Sequence, residues 1–338
     1  MRLLPAVSEK RRSNCSLLCS GMKRFEIPTL IILLLSGCTG VYNFNTDVHH
    51  RKVVVASFLH PDSLITVSVS WNRPVEEQSE IEYIDGAMVQ IEEDGVLVVQ
   101  GATVHGVFSS QVYPIVGKHY RLIVRVNDEL ELSATTSVPL PADIRYSVRE
   151  KMGTSRFHEY IAVDVSNITL PHEAPAVWIS GYMKYDNGYI DDAYAKDLYA
   201  NSPYLDQFNT AKDAMDALLR ESNTIFERGF IRIQRSALSL ALPFTFSMWI
   251  NWVKTEYVDD DDGTLELFAA YYLVHLTAPS EEYDRYKRSA IKQDLTYGSD
   301  SPFVNDPVSV FSNIRNGTGI FAGYNTSVIA VPVNNPYK

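Results

Sequence analysis

Cysteine is nearly absent from this chain, and its placement excludes a good deal. Cys15, Cys19 and Cys38 are its three cysteines. Everything after Cys38 lacks a thiol, which excludes disulfides, cysteine metal sites and a cysteine nucleophile from the body of the protein. Basic charge is also short: 30 Lys+Arg stand against 41 Asp+Glu, a net charge of −11. No Lys/Arg cluster follows residue 38, which disfavours nucleic acid and anionic membrane surfaces as partners on electrostatic grounds. Long apolar runs are missing as well. The one that ends at Leu35 is far shorter than the roughly 20 residues a spanning helix needs.

That short run is nonetheless the most informative stretch. Met22-Lys23-Arg24 supplies a positive start, the apolar segment follows from Ile27, and Leu35-Ser36-Gly37-Cys38 closes it with small residues. This is the layout of a lipoprotein signal peptide cut just before cysteine. Cys38 then becomes the first mature residue, carries acyl chains such as palmitate, and attaches the protein to a membrane. Residues 1–21 add nothing such a signal needs, so Met22 is expected to be the true initiator. Removing residues 1–37 takes six of 30 Lys+Arg and two of 41 Asp+Glu, leaving 24 against 39. The mature protein is thus more acidic still, a balance that keeps it soluble.

The rest reads as mainly β. Residues 38–50 are polar and without period, a tether. Over 51–139, Ile65, Val67, Val69 and Trp71 alternate with polar residues, as do Ala87, Val89 and Ile91, and then Tyr120, Leu122 and Val124. Asp94-Gly95 between two runs signals a hairpin. Short alternating strands at this spacing predict a β-sandwich of immunoglobulin or transthyretin type. Val138-Pro139-Leu140-Pro141 reads as a stiff linker into a larger β-rich domain, 140–338, with short helical insertions. One helix is expected near 206–222, where Phe208, Ala211, Met215 and Leu218 share a face. A second is expected near 280–292, capped by Ser280 and started by Glu281 and Glu282. Between them, 264–276 alternates Leu265, Leu267, Ala269, Tyr271 and Leu273 with a second apolar set, the pattern of a central strand covered on both faces.

Signatures of catalysis are scarce. There is no Gly-x-Ser-x-Gly elbow, and neither His158-Glu159 nor His172-Glu173 continues into a zinc-binding helix. Ser289-x-x-Lys292 lacks the companion motifs of a serine nucleophile and reads as an ordinary helical turn. The run Asp259-Asp260-Asp261-Asp262-Gly263 fails the calcium-loop register, since Val258 and Ala269 fall where carboxylates are required. It reads as a hairpin tip. No catalytic residue, metal site or cofactor is therefore assigned. The stretch 182–204 is different, with six tyrosines among Asp and Asn residues. Tyrosine offers large amphipathic contact area at low entropic cost. Tyr185, Tyr189 and Tyr194 are the candidate binding residues, against the alternative that such rings pack internally.

The C-terminal third carries a resemblance. Pro279-Ser280-Glu281-Glu282-Tyr283 is followed by Phe311-Ser312-Asn313-Ile314-Arg315-Asn316-Gly317-Thr318-Gly319-Ile320-Phe321-Ala322-Gly323-Tyr324. With Gly86-Ala87-Met88-Val89 and Thr135-Thr136-Ser137-Val138-Pro139, these resemble the Bacteroidota lipoprotein family catalogued as domain of unknown function 4249. The resemblance implies an outer-membrane lipoprotein, an accessory of a TonB-dependent receptor in nutrient uptake, with no enzymatic activity. A structural or adhesive envelope protein is the alternative, and an envelope hydrolase a more distant one. No acidic residue precedes Asp47 after Cys38, which leaves both the periplasmic and the surface face of the membrane open. In the Asn313–Tyr324 block, Asn316-Gly317 predicts a tight turn, and Gly319 and Gly323 a close backbone approach.

Overall fold

The structure is a computed structural model that describes residues 51–73, 80–127, 130–155, 158–191, 199–200, 204, 206–208, 230–251, 253–258, 263–297 and 309–333. Seven strands come first: β1 Val53–Leu59, β2 Thr66–Trp71, β3 Met88–Glu93, β4 Val96–Ala102, β5 Val107–Ser109, β6 His119–Arg125 and β7 Glu131–Ser137. They form the expected sandwich. One layer runs β5-β2-β1 and the other β4-β3-β6-β7. Val55, Val67, Val69, Val89, Ile91, Leu122 and Val124 fill the space between. Alternation buries one face of each strand, and local turns fix the register. At Asp94-Gly95 both residues take positive φ (47° and 83°), the geometry of the tightest hairpin turn. Glu93 faces Val96 across it.

Eleven further strands are described: β8 Asp143–Ser155, β9 His158–Thr169, β10 Ala176–Tyr185, β11 Ile190–Asp191, β12 Tyr199–Ala200, β13 Asp206–Phe208, β14 Phe230–Gln234, β15 Phe244–Asn251, β16 Val253–Val258, β17 Gly263–Pro279 and β18 Thr318–Pro332. Two helices accompany them, the single turn α1 Leu238–Ala241 and the long α2 Glu281–Tyr297. A layer β13-β14-β10-β17 faces a layer β12-β15-β9-β8 across a second core, which includes Val163, Val177, Ile179, Phe246, Val274 and Leu276. The mainly β fold with sandwich packing is thus as the sequence indicates.

The start of one expected helix is corrected. Asp206–Phe208 is not helical but pairs as a strand with Phe230–Arg232 of β14. Its backbone takes ladder hydrogen bonds there, which outweigh a weak local helical period. Residues 209–222 lie outside those described. The alternation of β17 is also interrupted. Lys184 of β10 faces Tyr271 while Tyr185 faces Ala269, so Ala270 is an extra residue. This bulge exchanges the two faces of the strand: Leu267 and Ala269 point into the core before it, and Tyr272, Val274 and Leu276 after it. Tyr271 is left exposed.

Strand β18 joins the two sandwiches. Its first residues, from Thr318 to Gly323, pair in parallel with β1, and its remainder, Tyr324 to Pro332, pairs antiparallel with β17. The proline-rich linker is fastened along it. Asn325 Nδ2 donates to the Pro139 carbonyl at 3.0 Å, and Ser327 Oγ to the Ala142 carbonyl at 2.6 Å.

Candidate functional site

Strand parity decides which side chains face away from the two cores. On β10, Val177, Ile179 and Met183 point inward, so Trp178, Ser180 and Tyr182 point to the opposite face. By the same rule β17 presents His275 there, β18 presents Tyr324, and β1 presents Phe58. Helix α2 lies across this face.

A buried polar anchor holds the helix in place. Asp284 accepts from Arg232 Nε at Oδ1 and from Arg232 Nη2 at Oδ2, each at 2.8 Å, and Trp178 Nε1 also donates to Oδ1 at 2.8 Å. Both charged side chains are only 3% exposed. A bidentate guanidinium–carboxylate pair with an added indole donor satisfies the charge at such depth. Lys287 Nζ sits 4.0 Å from the Phe230 ring centre and 4.6 Å from that of Trp178. At the start of α2, Ser280 Oγ accepts from the Tyr283 amide at 3.2 Å, the expected cap. Thr136 of β7 ties this end to the first sandwich. Its Oγ1 donates to Glu282 Oε2 and accepts from the Gly323 amide, both at 3.0 Å.

The fixed helix completes an aromatic platform on this face. Tyr283 stacks on Tyr324 with ring centres 4.6 Å apart, and Tyr324 lies 4.9 Å from His60. Phe58 contacts Tyr283 at 6.0 Å and Tyr286 at 5.6 Å, and Tyr182 meets His275 at 4.4 Å. Burial raises the phenol pKa of Tyr283, Tyr286 and Tyr324 above its ordinary value. It lowers those of His275 and His60, in the latter case against an opposing pull from Asp62. The fold thus favours the uncharged form of each of these groups. Half-buried rings with hydroxyl and imidazole edges can hold a ligand by stacking and hydrogen bonds.

The residues singled out by sequence are placed unevenly. Tyr185 is 1% exposed and belongs to the second core, which removes its ring from any exposed binding surface. Tyr189 is 44% exposed, at the end of the turn that follows β10, with its ring 6.2 Å from that of Tyr185. Tyr194, Cys38 and residues 259–262 lie outside the described residues. Ser289 Oγ donates to the Tyr286 carbonyl and accepts from the Phe311 amide, so it is engaged as a helical turn residue. Among the described residues no three His, Cys, Asp or Glu side chains converge as a metal site. An open groove of about 550 Å³ on the β8–β9–β15 layer includes Asp164, but Arg149 and Thr245 already bond that carboxylate. Sequence reasoning missed the Arg232–Asp284 anchor. A signal was present: Arg232 is a lone charge inside Phe230-Ile231-Arg232-Ile233.

A family model described as "Domain of unknown function (DUF4249)" matches residues 40–329. No curated protein matches the chain. Among solved structures with some similarity is the T6 backbone pilin of serotype M6 Streptococcus pyogenes, at 8% identity and a TM-score of 0.19. The match covers 82% of this chain and 63% of that one, so the chain spans less than two thirds of the pilin's length. A likeness that slight carries no inference about this protein.

Proposed function

Since the chain belongs to the DUF4249 family, we propose that it is a lipoprotein of the Bacteroidota cell envelope. It is anchored in the outer membrane through acylated Cys38 and binds a ligand or partner rather than catalysing a reaction. Its role is that of an accessory to a TonB-dependent receptor in nutrient uptake. The sequence Leu35-Ser36-Gly37-Cys38 supports the anchor. The observation that carries the binding role is the uncharged aromatic platform of Phe58, His60, Tyr182, His275, Tyr283 and Tyr324 on the helix-bearing sheet face. Tyr185 lies in the core; the exposed Tyr189, with Tyr194 of the same stretch, remains a proposed binding residue, and Tyr182 joins them.

The test is purification of the native protein from envelopes in mild detergent, followed by mass spectrometry of what accompanies it. Co-purification of a TonB-dependent receptor, weakened by Tyr182→Ala with Tyr324→Ala, supports the reading. A protein recovered alone, or with partners indifferent to those changes, overturns it. For the anchor, labelled palmitate must enter the parent chain and not Cys38→Ser.

A further inference from the structure

Residues 39–50 connect Cys38 to Arg51, a span of at most about 45 Å even when fully extended. Arg51 enters at one corner of the first sandwich. Its guanidinium pairs with the Glu82 carboxylate and lies 5.6 Å from the centre of the Trp71 ring. The Trp71 amide donates to the Glu82 carbonyl at 2.9 Å, and the Asn72 amide to the Lys52 carbonyl at 2.8 Å. The start of β1, the end of β2 and the segment around Glu82 therefore form one hydrogen-bonded corner.

Exposed apolar side chains gather at the same corner. Tyr83 bridges to Ser70 at the end of β2 and packs against Gly106. On either side of the turn that holds Gly106, Val104 and Val107 exchange backbone hydrogen bonds. Tyr83 opposes Ser70 and Val107 opposes Ser68, positions that alternate with the core residues Val67 and Val69, so both point away from the core. Ile81, Tyr83, Val104 and Val107 are 51%, 51%, 68% and 40% exposed. The chain as a whole is acidic, but the described charges here balance: Arg51, Lys52 and Arg73 stand against Glu80, Glu82 and Asp85. Glu76 and Glu77 follow Arg73 in sequence, so nothing favours an anionic surface.

We propose that this corner docks on the interface of the bilayer that holds Cys38, with Ile81, Tyr83, Val104 and Val107 set among the lipid headgroups. The inference rests on the lipid anchor proposed above and adds an orientation to it. The occupant follows from the tether. Acylated Cys38 keeps lipid within reach of Arg51, at the high effective concentration of a short linker, and Arg51 is bonded to the residue between Ile81 and Tyr83. Membrane interfaces accept aliphatic and tyrosine side chains, whose apolar bodies leave water while the phenol stays hydrated. The attraction is apolar and needs no cationic patch, so zwitterionic lipid suffices. Phe58 and His60 lie at the far end of β1, about 20 Å along the strand, and docking leaves the aromatic platform clear of the headgroups.

Site-specific labelling tests this on the full acylated chain in phosphocholine vesicles. The mature chain has no thiol beyond Cys38, so Val104→Cys and Tyr113→Cys each take one environment-sensitive maleimide probe. Tyr113 is 54% exposed but follows Val112, which pairs with Ile65 at the opposite end of β2. The expected result is a blue-shifted probe at 104, quenched by lipids spin-labelled near the headgroup, and an unquenched probe at 113. Adding Ile81→Asp with Val107→Asp should lower the ratio of docked to undocked probe at least about tenfold, at an unchanged melting temperature. A chain that floats with the vesicles yet leaves residue 104 unquenched, or quenched no more than 113, overturns the docking and leaves the lipid anchor standing. So does quenching at 104 that is indifferent to the two aspartates. A chain that takes up no labelled palmitate and does not float overturns the lipid anchor and this inference with it.

Discussion

Two joints hold this molecule together, and they work by different means. Where β18 meets the first sandwich, backbone lies against backbone. A Cβ added at Gly319 would press on the Val55 carbonyl oxygen, and one at Gly323 on that of Ser137. Asn313 acts as a substitute strand there: its Oδ1 accepts from the Phe321 amide at 3.0 Å and its Nδ2 donates to the Phe321 carbonyl at 2.7 Å. Where α2 meets the sheet, the contact is made by side chains instead. A carboxylate, a guanidinium and an indole complete one another's hydrogen bonds in a buried site. The first joint depends on the absence of side chains, the second on a complete set of them. The proposed binding platform stands on the α2 side, where the anchor sets the position of Tyr283 and Tyr286.

The glycine joint is broken most severely by Gly319→Ala. Its φ of +117° is strained for any side chain, and the added methyl has no room. We expect a loss on the order of 4–5 kcal/mol, or failure of the protein to accumulate, read by urea denaturation. A loss under about 1 kcal/mol would mean that β18 can shift away from β1, and that the backbone joint is not rigid. The charge joint comes next. Asp284→Ala removes the carboxylate from buried Arg232, at a cost of about 3–4 kcal/mol. Replacing both, as Arg232→Met with Asp284→Leu, should recover most of that loss, because the anchor's desolvation is removed along with its attraction. If the double variant is as damaged as the single one, shape rather than charge balance holds the helix.

The first sandwich was the more legible region because its strands alternate cleanly and are linked by local turns such as Asp94-Gly95. Strand β17 shows the limit of that reading. An extra residue at Ala270 reverses the faces without breaking the apolar run, so Leu265 to Leu273 looked like one uninterrupted pattern. Asp284 was hidden in another way. An acid in the first turn of a helix already has a reason to be there, and its partner Arg232 is 52 residues away. Tyr185 could have been placed correctly: it shares odd parity with Val177, Ile179 and Met183, which face the core. The aromatic platform draws on four strands, the residue after β1 and a helix, and no local period brings those together.

Acidification separates the two joints further. His275 and His60 have pKa values lowered by burial from an ordinary 6.5. The unfolded chain therefore binds their protons more tightly than the folded one. This contribution to stability is complete above the unfolded value and is lost as pH falls through the folded values. The melting temperature should decline between about pH 7.5 and pH 5, and His275→Gln should make the decline shallower. A pH slope unchanged by His275→Gln together with His60→Gln would detach the effect from the platform.

The smallest effect sharpens the contrast from the other side. Ser57 on β1 is 2% exposed, and among the described residues its hydroxyl has no hydrogen-bond partner. It lies opposite Phe321 in the parallel pairing of β1 with β18. A buried hydroxyl without a partner has lost its water and gained nothing in return. Ser57→Ala removes that cost and leaves behind only the volume of one oxygen. We expect a gain of up to about 1 kcal/mol in urea denaturation. Asp284 is buried to the same degree and its removal is expected to do the opposite, because three hydrogen bonds to it would be lost. Both sites thus test one rule, that satisfaction rather than polarity decides what a buried group contributes. Destabilisation by Ser57→Ala would mean that the hydroxyl has a partner at the β1–β18 joint.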